Sequence, residues 1–147
     1  MTSFQTIAVG FDGSDAARAA LRWALAMAGP LGGRVVVIHA TGLLEHVETD
    51  QPAARYQETV SSLTGEAGLG ADRVRWHMVD GDPCSVLLRA ITPPISADLL
   101  VVGCRGHAAH RGLTLGSTSQ ELAQHTSIPL VIVPGEAVHS APPTGSS

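Results

Sequence analysis

A chain of 147 residues, 44% hydrophobic and 15% charged, has the size and apolar content of one folded domain and is not a disordered segment. Its net charge of −4 and pI of about 5.9 argue against a nucleic-acid grip, which needs a basic face, and no apolar window is long enough for a membrane span. All nine basic residues are arginine, which excludes lysine Schiff bases, a Ser-Lys dyad and the P-loop lysine.

The elements alternate from the start. Thr6–Phe11, TIAVGF, is a short apolar strand broken by DGSD, a turn-and-cap cluster in which Ser14 reads as a helix cap. Asp15–Ala28 is a helix with Ala17, Ala20, Leu21, Ala24, Leu25 and Ala28 on one face, and Gly29-Pro30 is expected to end it. Arg34–Ala40, RVVVIHA, does not alternate and so reads as a strand buried on both faces, with His39 a hydrogen-bonded core residue. Thr41–Pro52 is a polar, acidic connection, and Ala53–Leu63 is helical. Val74–Val79 is the third strand, with Trp76 and His77 packed in it, closed by DGDP. Pro83 opens a helix that continues from Cys84 to Thr92, with Asp80 and Asp82 as turn and cap residues. Asp98–Gly103 is the fourth strand, Ser117–His125 the fourth helix and Pro129–Pro134 the fifth strand.

No internal repeat or second domain is visible. Repeated β-α units predict a single-domain α/β fold, a five-stranded parallel sheet with helices on both faces, Rossmann-like in type. Residues 1–134 form the domain, and 135–147, small, polar and proline-rich, form a tail expected to be disordered. The start of the chain, MTSFQTIAVG, has no basic segment leading into a signal core, so the expected location is cytoplasmic. Cys84 and Cys104 read as reduced thiols. A thiol at a helix start, such as Cys84, has either a lowered pKa or a purely structural role.

Ligands of such sheets bind at the carboxyl ends of the strands, where the strand order reverses. Asp12, Ala40, DGDP and the glycine-punctuated loop Val101–Gln124 all fall at carboxyl ends. In that loop, Gly103 and Gly106 permit close backbone approach and positive φ. Gly116 opens a helix whose exposed N–H groups and dipole attract an anion. Ser117, Thr118 and Ser119 add hydroxyl donors, and Arg105 and Arg111 carry the sign that a polyphosphate needs. The other reading is a surface loop with an ordinary serine cap. GLTLGSTS lacks the lysine and spacing of a P-loop. Cys104-x-x-His107-x-x-His110 has zinc-like spacing but no fourth clustered ligand.

The run Gly103-x-x-Gly106, nine residues, then Gly116-Ser117 resembles the nucleotide motif of the universal stress protein family, in its ATP-binding subgroup. IAVGFDGSDAARAALRWA resembles that family's first strand, acidic turn and helix; GDP and SIPLVIVP resemble its turn before helix three and its closing strand. The resemblance spans residues 4 to 134 and implies a fold like that of the adenine-nucleotide α-hydrolases. It implies that Asp12 lies near the adenosine, that the backbone at Ala40 contacts adenine, and that Gly103, Arg105 and Gly106 lie at ribose and phosphates. Gly116, Ser117, Thr118 and Ser119 match its phosphate cradle. It further implies ATP with Mg²⁺ or Mn²⁺ and a homodimer through the last strand, Leu130–Val133. Two departures stand out: Gly10-Phe11 lacks a proline found in some relatives, and the insert carries His107 and His110, which would make phosphate binding pH-dependent. The function so implied is an ATP-binding stress-response regulator whose nucleotide occupancy alters conformation or partner choice. The alternatives are a slow metal-dependent ATPase and a nucleotide-free interaction protein of the same fold.

Overall fold

The computed structural model describes residues 4–41, 51–104 and 116–134. Its elements are β1 (Thr6–Gly10), α1 (Asp15–Leu31), β2 (Arg34–Thr41), α2 (Gln51–Ala67), β3 (Val74–Asp80), α3 (Pro83–Arg89), β4 (Leu99–Gly103), α4 (Ser117–His125) and β5 (Leu130–Val133), with a 3-10 turn at Ala71–Arg73. All five strands form one parallel sheet in the order β3-β2-β1-β4-β5. The expected α/β fold is therefore the observed one.

The inner strands β1, β2 and β4 are unbroken apolar runs because both their faces are covered. On one face Ile7, Val9, Val35, Val37, Leu99 and Val101 meet Ala17, Ala20, Leu21, Ala24, Leu25 and Ala28 of α1, joined by Val60 and Leu63 of α2. On the other, Ala8, Val36, Ile38, Leu100 and Val102 meet Val86 and Leu87 of α3 and Leu122 of α4. Alanine on the inner face of α1 lets its axis approach the sheet closely, which matters at the site below. Both edge strands are only half-covered. β5 is half-buried throughout, and β3 leaves His77 and Met78 exposed.

Several boundaries differ from the sequence expectation. α1 runs through Gly29-Pro30. Pro30 falls in the last turn, where one lost bond is cheap, and the helix ends instead on Gly32 at φ +71°. There Gly33 N donates to Ala28 O (3.1 Å) and Gly32 N to Gly29 O (3.2 Å), the paired bonds of a Schellman ending. The Arg73 guanidinium adds donors to Ala28 O and Gly33 O, both at 2.7 Å. α2 extends beyond 53–63 at both ends, and α3 stops at Arg89 rather than Thr92. His77 is not packed: it is exposed, on a strand at the edge of the sheet.

Candidate functional site

The strand order reverses between β1 and β4. From β1 the chain continues through α1 to β2 on one side; from β4 it continues through α4 to β5 on the other. Such a reversal opens a crevice at the carboxyl ends of the two strands.

On the β1 side the chain makes a tight, well-tied turn. Phe11 N extends the ladder to Ile38 O (2.9 Å). His39 Nδ1 lies 2.9 Å from Phe11 O, which can only accept, so that nitrogen carries the proton. The Asp12 carboxylate accepts from Ser14 N (2.9 Å), an Asx turn closed over Gly13 at φ +82°. Ser14 then caps α1, its hydroxyl accepting from Ala17 N (3.1 Å), as its sequence position implied. Arg18 folds back over the same turn, pairing with Asp15 and donating to Gly13 O (3.0 Å). Asp12 itself is half-exposed at the head of the crevice.

On the β4 side Gly103 ends the strand. A Cβ there would lie 2.7 Å from the carbonyl carbon, the oxygen and the Cβ of Ala16. Its φ is not in the left-handed region. The sequence assigned this glycine to ligand approach and positive φ; the geometry shows that α1 needs it, because backbone meets backbone there. Ser119 is 2% exposed, and its hydroxyl donates to Gly103 O (3.0 Å). That proton ties α4 to β4 and is not aimed at the crevice. Cys104 N donates to Val133 O (2.9 Å), while Gly116 N donates to Cys104 O (2.7 Å). The two ends of the motif loop are thus pinned together.

Gly116 is the N-cap of α4, at φ −68° and ψ 163°, and supplies no side-chain cap. α1 and α3, in contrast, are capped by Ser14 and Asp82. Ser117 is exposed and Thr118 half-exposed beside the α4 terminus. Among the described residues no side chain caps the first-turn N–H groups of this helix, and these groups carry the positive end of its dipole.

Ala40 stands at the end of β2. Ile38 O accepts from Phe11 N, and Thr41 O accepts from Gly81 N. Alternation along a parallel strand therefore turns the Ala40 peptide groups toward the side of the Asp12 turn. Asp80 accepts from the Thr41 hydroxyl (2.6 Å), and Asp82 caps α3 by accepting from Ser85 N (3.0 Å). Those bonds from Ser85 hold the Asp82 carboxyl below its usual range. Burial, with the Glu121 and Asp82 carboxylates nearby, pushes the Cys84 thiol above its ordinary value, so Cys84 has the structural role and not the activated one.

The structure thus brings Asp12, Ala40, Gly103, Gly116, Ser117, Thr118 and Ser119 to one end of the sheet. Arg105, Gly106, His107, His110 and Arg111 lie outside the described residues. Two neighbours of the site went unread in the sequence: Ala16, whose backbone fills the place of a Gly103 side chain, and Tyr56, whose ring covers Gly13. Tyr56 repeats with Val60 and Leu63 at helical spacing, and that inward face was the available signal.

The universal stress protein family model matches residues 3–134. A universal stress protein of Thermus aquaticus is 32% identical over 88% of this chain and 98% of its own length. Among solved structures, a universal stress protein in complex with cAMP is 26% identical, covers 90% of this chain and 98% of its own, and superposes with a TM-score of 0.72. A universal stress protein from Lactobacillus plantarum, at 19% identity, shares the fold with a TM-score of 0.77 over 90% of this chain and 99% of its own. The chain belongs to the universal stress protein family.

Proposed function

We propose that this protein is a cytoplasmic stress-response regulator that binds an adenine nucleotide in the crevice between β1 and β4. Residues 1–134 are its nucleotide-binding unit; the expected tail, 135–147, lies outside the described residues. The observation that carries this reading is the α4 N-terminus. Its cap residue is a glycine with no side chain to offer, it stands beside the chain reversal, and it closes the Gly103-x-x-Gly106-x9-Gly116-Ser117 spacing. In this arrangement the Asp12 carboxylate accepts hydrogen bonds from ribose or base, and the Ala40 backbone reads the base edge. Gly103, Arg105 and Gly106 run along ribose and phosphates. Gly116, Ser117 and Thr118 cradle the phosphates, and Ser119 holds the cradle to β4.

The ligand is ATP with Mg²⁺ or Mn²⁺. Among the described residues no three His, Cys, Asp or Glu side chains cluster to hold a metal. In this reading the ion is carried by the phosphates and water, as Mg²⁺ prefers, beside the Asp12 carboxylate. The cAMP complex of the relative that is 26% identical makes a cyclic nucleotide the competing ligand. The protein acts as a homodimer through Leu130–Val133, a half-exposed apolar strand at the open edge of the sheet. Occupancy of the site alters conformation or partner choice.

Calorimetric titration with ATP, ADP, AMP and cAMP, with and without Mg²⁺, tests the reading. Tightest binding of MgATP supports it. Tightest binding of cAMP replaces ATP as the ligand, and no heat with any of the four overturns nucleotide binding.

A further inference from the structure

Gly13 is a meeting point of two elements far apart in sequence. A Cβ on Gly13 would stand 2.3 Å from Cε1, 2.6 Å from Cζ and 2.8 Å from the hydroxyl oxygen of Tyr56. The phenol ring of α2 therefore rests directly on bare backbone, in the turn that carries Asp12. The ring is braced in turn. It meets Phe11 edge-on at 5.7 Å and His39 edge-on at 5.1 Å, and His39 stacks on Trp76 at 6.0 Å with planes 15° apart. Phe11 also meets Trp76 edge-on at 6.4 Å. Such edge-on and stacked arrangements have preferred geometries, so the four rings hold one another's orientation.

The Phe11–Ser14 segment is consequently held from four directions, one of them the Arg18 guanidinium on Gly13 O (3.0 Å). The β2 ladder holds Phe11 N, the His39 ring holds Phe11 O, and Tyr56 covers Gly13. A Gly at φ +82° has more conformational freedom to lose than any other residue. The ring is the one of these holds that packs on the Gly13 backbone itself, so its loss widens the range of the Asx turn closed by Asp12 and Ser14 N.

We infer that Tyr56 is a positioning residue for the nucleotide site: its ring, seated on Gly13 and braced by Phe11 and His39, fixes the turn that presents the Asp12 carboxylate. The inference rests on the nucleotide-binding reading of that carboxylate. It adds α2 to the elements that build the site, and it makes ring shape the property required at position 56.

The test compares the parent protein with Tyr56→Phe, which keeps the ring, and Tyr56→Leu, which keeps apolar bulk without it. Hydrogen exchange is followed at the Ser14 amide, which donates to Asp12, with the sheet amides of Val9 and Val101 as controls, and MgATP binding is measured by calorimetry. In Tyr56→Leu, Ser14 exchange should speed up and MgATP affinity fall by about tenfold, the scale of one lost aromatic contact. The control amides should keep their rates, and Tyr56→Phe should restore both readouts to within about twofold of the parent. Unchanged Ser14 exchange in Tyr56→Leu overturns the inference whether or not nucleotide binds. Faster exchange with unchanged MgATP affinity also overturns it. A parent that binds no adenine nucleotide overturns the binding reading instead, and the Ser14 exchange still decides whether Tyr56 fixes the turn.

Discussion

Gly103→Ala places one methyl group where α1 and β4 touch. The added carbon would sit 2.7 Å from three atoms of Ala16, two of them backbone. No side chain can swing aside to relieve this. α1 must lift, yet Ala17, Ala20, Leu21 and Ala24 lock it to the sheet. On the other side, Gly103 O is held by the Ser119 hydroxyl (3.0 Å). Overpacking of this kind costs about 1–3 kcal/mol. For a domain of this length each kcal/mol lowers Tm by about 3 °C, so a drop of about 3–9 °C is expected. Urea unfolding of the nucleotide-free protein should show a lower midpoint at an unchanged slope, the sign of lost stability without a change in the surface exposed. A glycine kept only for ligand clearance would leave the nucleotide-free protein as stable as before. A Gly103→Ala variant with the parental midpoint and Tm would refute the packing explanation.

Gly116→Val tests the other glycine, whose φ of −68° suits any residue. Its fold should survive at a cost of about 1 kcal/mol or less in capping, with native circular dichroism but no calorimetric signal for ATP. At the sheet edge, Val133 O accepts from Cys104 N and Pro129 O from Leu100 N, so alternation turns the Val131 N–H inward to β4 and leaves the Leu130 and Ile132 groups on the open side. Proline at Ile132 is therefore tolerable within the fold, and Ile132→Pro should sediment as a monomer at concentrations where the parent is a dimer. Iodoacetamide on the native protein at neutral pH should label half-exposed Cys104 before Cys84, whose thiol burial raises, and equal rates in mass spectrometry would contradict this. The Asp82 carboxyl is held below its usual range in the folded state, so its contribution is complete above the unfolded value and is lost as pH falls through the folded one. Asp82→Asn retains a capping oxygen without the titration, so its loss of stability between about pH 5 and 2 should be shallower in thermal scans.

The core was the most readable part of the sequence. Val35–Ile38 and Leu99–Val102 are uninterrupted because both faces are buried, and that pattern identifies inner strands without further knowledge. Strand order leaves no comparable mark. Val74–Met78 alternates, which sets His77 with Arg75 on the polar face, but nothing in it says which neighbour is missing, so the edge position had to come from the sheet. Helix ends failed for a local reason: Pro30 is a breaker in mid-helix but costs little in a last turn, and the stop signal was the next glycine pair, Gly32-Gly33. At the site, the types and spacing of Asp12, Gly116 and Ser117 were visible. The reason for Gly103 was not, since clearance for a ligand and clearance for Ala16 demand the same residue. The spacing of Tyr56 with Val60 and Leu63 marked only an inward helix face; its contact with Gly13, 43 positions away, left no mark.

Mass spectrometry of the small molecules released on denaturing freshly purified protein bears most immediately on the nucleotide-binding reading. The expected result is an adenine nucleotide, ATP or its hydrolysis products, in amounts approaching one per chain and reduced to background in Gly116→Val. Release of a different class of molecule in that ratio would contradict the reading, as would the absence of any nucleotide from a protein that also gives no heat with MgATP.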